Sequence, residues 1–583
     1  MKSHNLLLGL ILILALALRL IGLGHIPAGF SPDEASQAYS AYSLLHTGRD
    51  EWGIAWPLAS FKSFLDYKAP LQTYLMIPSI ALFGLNEFAA RLPSVIFGVL
   101  AIFAVYLLSK ELFSKNTRLQ KSTNNQEPIT NHLALLAALF LALSPWHIQF
   151  SRTALEVNLT SFLFPLGLYF FLRGLKDHRQ FILTSVLWGF SLYAYHSAKI
   201  FIPLFALSLL WLYRREIFAP SPSLRGGTPT WQSHSISIPI IAALLTFIVI
   251  LSPLALDTFM GNSAKRGSDL LITNLSGETK KLLDQQGFYS PLAKINSKLP
   301  RLIHHPIFTF VSQFGENYLS YFSLPFWFTE GGREITYSVI PGRGLLLFWM
   351  LPLVLYGLFI LFKKSRGEGY DARPLLIWLF LAALPAALTK EGYRPNRAGS
   401  FLVYWEMIAA FGFISLLEIK IKFQKTILVL FTSFALALTG FYLEDYFFNS
   451  SVTYPKSLSF GWRDTIHAVA QIQDNYGTVM VEKGTQSQAF VAFYLKTSPK
   501  DFQSSTVLWQ KEIEKRQVTY LDQMEKYRLG KFSFETLNWP EDNDLNTLYV
   551  WQGSSLLPAE RHTIYQVITP PGEIIMEVFD FKK

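Results

Sequence analysis

Asp33 and Glu34 are adjacent carboxylates in the segment Gly29-Phe30-Ser31-Pro32-Asp33-Glu34-Ala35, which directly follows the first apolar run of the chain. A carboxylate held at the mouth of a membrane span suits general-base chemistry, accepting the proton of an attacking hydroxyl. The same residues also spell a helix start: Ser31 as N-cap, Pro32 at the first helical position and Glu34 three residues after Ser31 make a capping box. Local sequence favours capping, which accounts for Glu34 but does not need Asp33. Ala35, Ala38, Tyr39, Tyr42 and Leu45 continue at helical spacing to Gly48, the pattern of an amphipathic helix lying in a membrane interface.

Further polar groups interrupt the apolar sequence at four places. Arg152 and Glu156 are four apart in Ser151-Arg152-Thr153-Ala154-Leu155-Glu156, so on a helix they share a face, either as a surface ion pair or with Arg152 offered to an anion. Tyr193-Ala194-Tyr195-His196-Ser197-Ala198-Lys199 ends another apolar run, where tyrosines belong to an interface belt and Lys199 can snorkel. Lys390-Glu391-Gly392-Tyr393-Arg394-Pro395-Asn396-Arg397 puts three cations on a tight hairpin between two runs, which a bound phosphate would explain. Arg19 lies inside the first run and is expected to snorkel toward its end.

The elements that must position these groups are membrane spans. Of 583 residues, 51% are hydrophobic, 15% aromatic and only 16% charged, a composition that excludes a soluble enzyme of this size. Cysteine is absent, so disulfides, thiolate nucleophiles and cysteine metal sites are excluded. Apolar runs place spans near 6–23, 91–109, 133–150, 157–173, 181–196, 200–213, 236–256, 344–362, 374–388, 399–418 and 425–443, eleven in all. The net charge of +10 is explained by orientation rather than nucleic acid, because Lys and Arg concentrate in alternate connections. Examples are Lys110, Lys115, Arg118 and Lys121, then Arg173, Lys176 and Arg179, then Lys363, Lys364, Arg366 and Arg373. These connections are read as cytoplasmic, with the N-terminus inside and the C-terminus outside.

The run Leu71 to Gly84, about 14 residues, is too short to cross a core of about 30 Å and is read as a juxtamembrane helix on the outer side. Three outer segments then stand out: 24–90, 257–343 and 444–583. The last is expected to be a small extracytoplasmic α/β domain, with a helix near Asp464 to Asp474 and strands near Thr478 to Val481, Thr547 to Trp551 and Ile574 to Phe579. The stretch Ser114 to His132 reads as a polar loop.

The order of these pieces resembles the GT-C glycosyltransferases that use polyprenyl-phosphate sugars, nearest to the protein O-mannosyltransferase and lipid A aminoarabinose transferase group. The resemblance rests on the Arg19-containing first span followed by Asp33-Glu34, then Tyr67-Lys68-Ala69-Pro70-Leu71 leading through Phe83-Gly84-Leu85-Asn86-Glu87-Phe88-Ala89-Ala90-Arg91-Leu92-Pro93-Ser94. Ser144-Pro145-Trp146-His147, Ser151-Arg152 and Glu156 continue it. It covers most of 1–443, the expected catalytic domain, and implies a polytopic α-helical membrane protein of GT-C-like fold in the cell membrane.

The resemblance implies that Asp33 deprotonates an acceptor hydroxyl, which attacks the anomeric carbon of the donor with inversion and expels polyprenyl phosphate. Glu34 would shape the site; Arg152, Lys199, Arg397 and Arg394 would neutralise the leaving phosphate; Glu156, Tyr67, Lys68 and His196 would contact substrate. The acceptor is a glycan, a lipid or a protein. No cofactor is expected. Lys68 and Ala69 stand where aminoarabinose transferases carry a metal-holding carboxylate, so no metal is expected by that route, although another route stays open. The β-rich insert of eukaryotic O-mannosyltransferases has no counterpart in 257–343. Two other readings of the chain are a transporter or flippase of lipid-linked sugars, and an anchor for the C-terminal domain.

Overall fold

The computed structural model describes residues 2–582 apart from 64–65, 114–128, 218–237, 334–339, 341, 365–370, 420–421, 450–451, 453–457, 485, 519–520, 538–544, 554 and 571. Between 261 and 304 it describes only 271–272, 285, 289 and 295. Most of the expected polar loop Ser114 to His132 and much of the outer segment 257–343 therefore lie outside the described residues.

Among the described residues every apolar run contains an α-helix. The first is α1 (Lys2–Leu20); α2 (Pro32–Thr47), a two-stranded hairpin of β1 (Phe61–Ser63) and β2 (Asp66–Lys68), α3 (Leu71–Phe83) and α4 (Glu87–Phe113) follow. The remaining apolar helices are Ile129–Leu143, Pro145–Arg152, Thr160–Gly174, Gln180–Ala194, Ala198–Leu212, Ile238–Met260, Leu351–Lys364, Arg373–Ala382, Tyr404–Leu417 and Gln424–Phe448. Helix length and composition alone support fewer than the eleven expected spans. Among the described residues four helices are long and apolar enough to cross a membrane, and a fifth span is possible if Thr130–Leu143 and Pro145–Arg152, bent by 60°, count as one. The other apolar helices are shorter; Gln180–Ala194, with 15 residues, rises about 22 Å.

The 60° bend has a local cause that also corrects the snorkelling expected of Arg19. Pro145 has no N–H for the Leu141 carbonyl, and the Trp146 N–H goes to Leu345 instead of Ala142. The Leu141 carbonyl accepts from Ser144 N at 3.3 Å instead, and fully buried Arg19 donates to both carbonyls, Ala142 at 3.2 Å and Leu141 at 3.4 Å. Its Nη2 also donates to His147 Nδ1 at 2.8 Å, which leaves His147 Nε2 to donate to Ser161 at 3.3 Å. Arg19 is the cap of a broken helix.

The C-terminal part is an α/β domain with a six-stranded sheet. Its strands are β3 (Thr478–Glu482), β4 (Lys526–Leu529), β5 (Phe532–Glu535), β6 (Thr547–Trp551), β7 (His562–Ile568) and β8 (Ile574–Asp580), in the order β4-β5-β3-β6-β8-β7. β3 runs parallel to β5 and β6, and the outer pairings are antiparallel. The helices Trp462–Ile472, Ser487–Tyr494 and Pro499–Arg516 accompany the sheet. Its hydrophobic core is continuous with α2, α3 and the start of α4, where Phe30, Ala35, Ala38 and Tyr39 join Phe490, Phe493 and Phe502.

That continuity corrects the reading of α2 as an interfacial helix. Most of its residues are buried. Its polar face meets other polar groups rather than water: Tyr39 donates to the Thr497 carbonyl at 2.9 Å, and Gln503 reaches Ser43 and Thr47 at 3.0 Å. Periodicity alone reports a polar stripe and not what covers it.

Candidate active site

The capping box is present and fixes the start of α2. Ser31 Oγ accepts from Glu34 N at 3.3 Å, and Glu34 Oε2 accepts from Ser31 N at 2.9 Å. Glu34 Oε1 is also engaged, accepting from Arg91 Nε at 2.8 Å and from Ala154 N at 2.9 Å. Arg91 spends its other N–H groups on the carbonyls of Leu23, Pro27 and Gly29. Glu34 thus ties α2 to α4 and to the turn after Arg152. Its carboxylate, fully buried, faces protein on all sides.

Asp33, one residue earlier and so rotated by about 100° around the helix, faces elsewhere. Its Oδ1 lies 2.5 Å from Lys68 Nζ, and Asp66 Oδ2 is 3.7 Å from the same ammonium. Lys68 reaches Asp33 because β1 and β2 pair antiparallel, with Phe61 opposite Lys68 and Lys62 opposite Tyr67. The neighbouring Tyr67 carbonyl accepts from His196 Nε2 at 3.0 Å, so the expected substrate contacts Tyr67, Lys68 and His196 converge. Gln37, one turn after Asp33, donates to Glu156 Oε2 at 3.1 Å and brings Glu156 to the same helix face.

The 3-10 helix Glu156–Leu159 carries the site onward to the cationic hairpin. Val157 packs on the bare Cα of Gly399, where a Cβ would collide, so the short helix Arg397–Phe401 sits directly on it. Ser197 and Ala198, just before Lys199, share with Gly399 and Ser400 the wall of a cavity of about 10 Å³. The elements bearing Lys199 and Arg397 therefore meet beside those bearing Glu156 and His196. Arg397 is 4.0 Å from Glu391, and its buried Nη1 has no hydrogen-bond partner among the described residues. Arg394 is paired with Glu391, so part of the hairpin's charge is balanced locally.

Arg152 is placed differently from the expectation. Its helix ends at Arg152 itself, so no single helix carries both Arg152 and Glu156. Arg152 Nη1 donates to Leu18 at 2.8 Å, and Nη2 donates to Ile21 at 2.7 Å and Ile26 at 2.8 Å. With its guanidinium 4.9 Å from the Phe447 ring centre and fully buried, it ties down the exit of α1, and its Nε has no hydrogen-bond partner among the described residues. A fixed fork of donors is what three diverging carbonyls need.

Sequence reasoning missed the supporting layer. Ser36, one turn beyond Asp33, donates to Glu51 at 3.1 Å and lies 2.5 Å from Ser63 of β1. Burial, then the neighbouring Asp50, pushes the Glu51 carboxyl well above its ordinary range, while burial holds Asp50 at about 6. No motif marks this layer; its members are close only because the 48–63 turn folds back onto α2.

Residues 67–120 match the family model for dolichyl-phosphate-mannose-protein mannosyltransferase. The structure is similar to that of ArnT from Cupriavidus metallidurans bound to undecaprenyl phosphate, at 12% identity and a TM-score of 0.52, covering 98% of this chain and 97% of that one. The apo form of the same ArnT aligns over the same shares at 12% identity with a TM-score of 0.49. No curated protein matches the chain significantly. Over nearly its whole length the chain shares the fold of that ArnT, the fold that the resemblance in its sequence implies.

Proposed function

We propose that the protein is a membrane glycosyltransferase that moves a sugar from a polyprenyl-phosphate donor to a hydroxyl acceptor on the outer face, with inversion. The observation that carries this reading is the separation of the two carboxylates. Glu34 is consumed by structure, whereas Asp33 is held by a lysine at 2.5 Å among Tyr67, His196 and Glu156. The match over 67–120 supports it, since those residues include Lys68 and Arg91. So does the likeness to an ArnT bound to undecaprenyl phosphate, a lipid phosphate of the proposed product class.

In this mechanism the acceptor O–H gives its proton to the Asp33 carboxylate as its oxygen bonds to the anomeric carbon. The bond from that carbon to the phosphate oxygen breaks, and its electron pair leaves with the polyprenyl phosphate. Lys68 keeps Asp33 ionised until the acceptor arrives, because an opposite charge within about 4 Å favours the charged form. Lys199 and Arg397 are the cations assigned to the leaving phosphate, and the buried Nη1 of Arg397 has no hydrogen-bond partner among the described residues. Arg152 and Glu34 belong to the scaffold.

Purified protein incubated with a panel of polyprenyl-phosphate sugars and cell-envelope acceptors tests this reading. Release of free polyprenyl phosphate from at least one donor, dependent on an acceptor, is expected; no release from any donor would overturn it.

A further inference from the structure

The hairpin that carries Lys68 is gripped from two sides. Successive strand residues point to opposite faces, and directly paired residues share a face. Phe61, Ser63, Asp66 and Lys68 therefore face α2, where Ser63 meets Ser36 and Lys68 meets Asp33. Lys62 and Tyr67 occupy the other face. There Lys62 Nζ donates to Gln510 Oε1 of the C-terminal domain at 2.5 Å and lies 4.0 Å from the centre of the Trp52 ring.

The same helix of that domain, Pro499–Arg516, holds the rest of the turn. Gln503 Nε2 reaches Ser43 Oγ, Thr47 Oγ1 and the Asp50 carbonyl, all within 3.1 Å. Trp509 packs edge-on against Trp52. A second set of contacts ties the domain to the start of α4 and to the chain after α1. Arg463 pairs with Glu87 at 2.6 Å and donates to the Gly24 carbonyl, and Tyr494 donates to Glu87 at 3.0 Å.

We infer that the C-terminal domain is a positioning element of the active site: through Gln510, Lys62 and Trp52 it presses the 61–68 hairpin onto α2 and so holds Lys68 on Asp33. The inference rests on the proposed role of Asp33 and assigns the domain a part in the same reaction. A two-stranded hairpin has little stability of its own, so its position depends on what it is packed between. Gln510 and Lys62 act through Lys68 and touch no reacting atom.

The test uses the full chain with Gln510→Leu, Lys62→Met and Lys62→Arg. Hydrogen exchange of a peptide covering 60–69 is expected to speed up about tenfold in the first two variants, the equivalent of one lost charge-assisted hydrogen bond. Lys62→Arg, which still reaches Gln510, keeps the wild-type rate. In turnover, the first two variants shift the acidic limb of the rate–pH profile to higher pH, because Lys68 no longer holds Asp33 as closely. Unchanged exchange at 60–69, or a lower plateau with the acidic limb unmoved, would overturn the inference. Should the wild-type protein release no lipid phosphate, it is the transferase reading that fails, and the exchange rates alone decide the clamp.

Discussion

Glu34 and Arg91, 57 residues apart, meet at 2.8 Å with both side chains fully buried, and the pair joins the start of α2 to the start of α4. Breaking such a pair strands a charge away from water and costs about 3–5 kcal/mol. Arg91→Met and Glu34→Gln should each lower the thermal midpoint sharply in detergent. The double variant should lose less than the sum of the two, because the second substitution removes the stranded partner. Additive losses would show that the two side chains are not coupled.

Lys68→Met removes the cation 2.5 Å from Asp33. The buried carboxylate then favours its protonated form, so the acidic limb of the turnover profile should move to higher pH and the rate at a fixed mildly acidic pH should fall. Lys68→Arg should move it less. Rate–pH profiles of the three proteins decide this, and coincident acidic limbs would count against the pairing.

The Glu51 carboxyl is raised well above its ordinary range by burial and by Asp50. The folded state therefore binds more protons than the unfolded one between the two pKa values, so this group's contribution to stability falls as pH rises through that window. Glu51→Gln keeps the shape and removes the titration. The variant should match the wild type near pH 4 and be the more stable protein at neutral and alkaline pH, as read from thermal midpoints across pH. A wild type that stays the more stable of the two at high pH would contradict the assignment.

Arg152 and Arg397 should behave oppositely. Arg152 donates to three carbonyls around the exit of α1, so Arg152→Ala should destabilise the fold by leaving them unsatisfied. Arg397→Ala should leave the thermal midpoint near that of the wild type while weakening polyprenyl phosphate binding about tenfold or more, the loss of one charge-assisted contact. Equal stability losses in the two variants would remove Arg397 from the phosphate site.

Much of this was legible in the sequence where the signal is local. The capping box at Ser31–Glu34 formed, each apolar run among the described residues contains an α-helix, and Leu71–Phe83 is a separate short helix. Strand β6 matches its expected bounds, and β3 and β8 are each one residue longer than expected. What escaped depends on contacts distant in sequence. The short strands β4 and β5 are defined by pairing with β3 rather than by pattern. Arg91 carries no local mark as the partner of Glu34, and the polar face of α2 looks exposed until the C-terminal domain covers it. Local sequence reads Arg19 as snorkelling and Arg152 as paired with Glu156 or offered to an anion, because the carbonyls they reach, Ala142 for Arg19 and Leu18, Ile21 and Ile26 for Arg152, lie more than a hundred residues away in sequence.

The central claim is that Asp33, and not its neighbour, is the base. Asp33→Asn should bind polyprenyl phosphate within a few-fold of the wild type while its rate of lipid phosphate release from the preferred donor falls by about 10²–10⁴. Release by Asp33→Asn at close to the wild-type rate would contradict it.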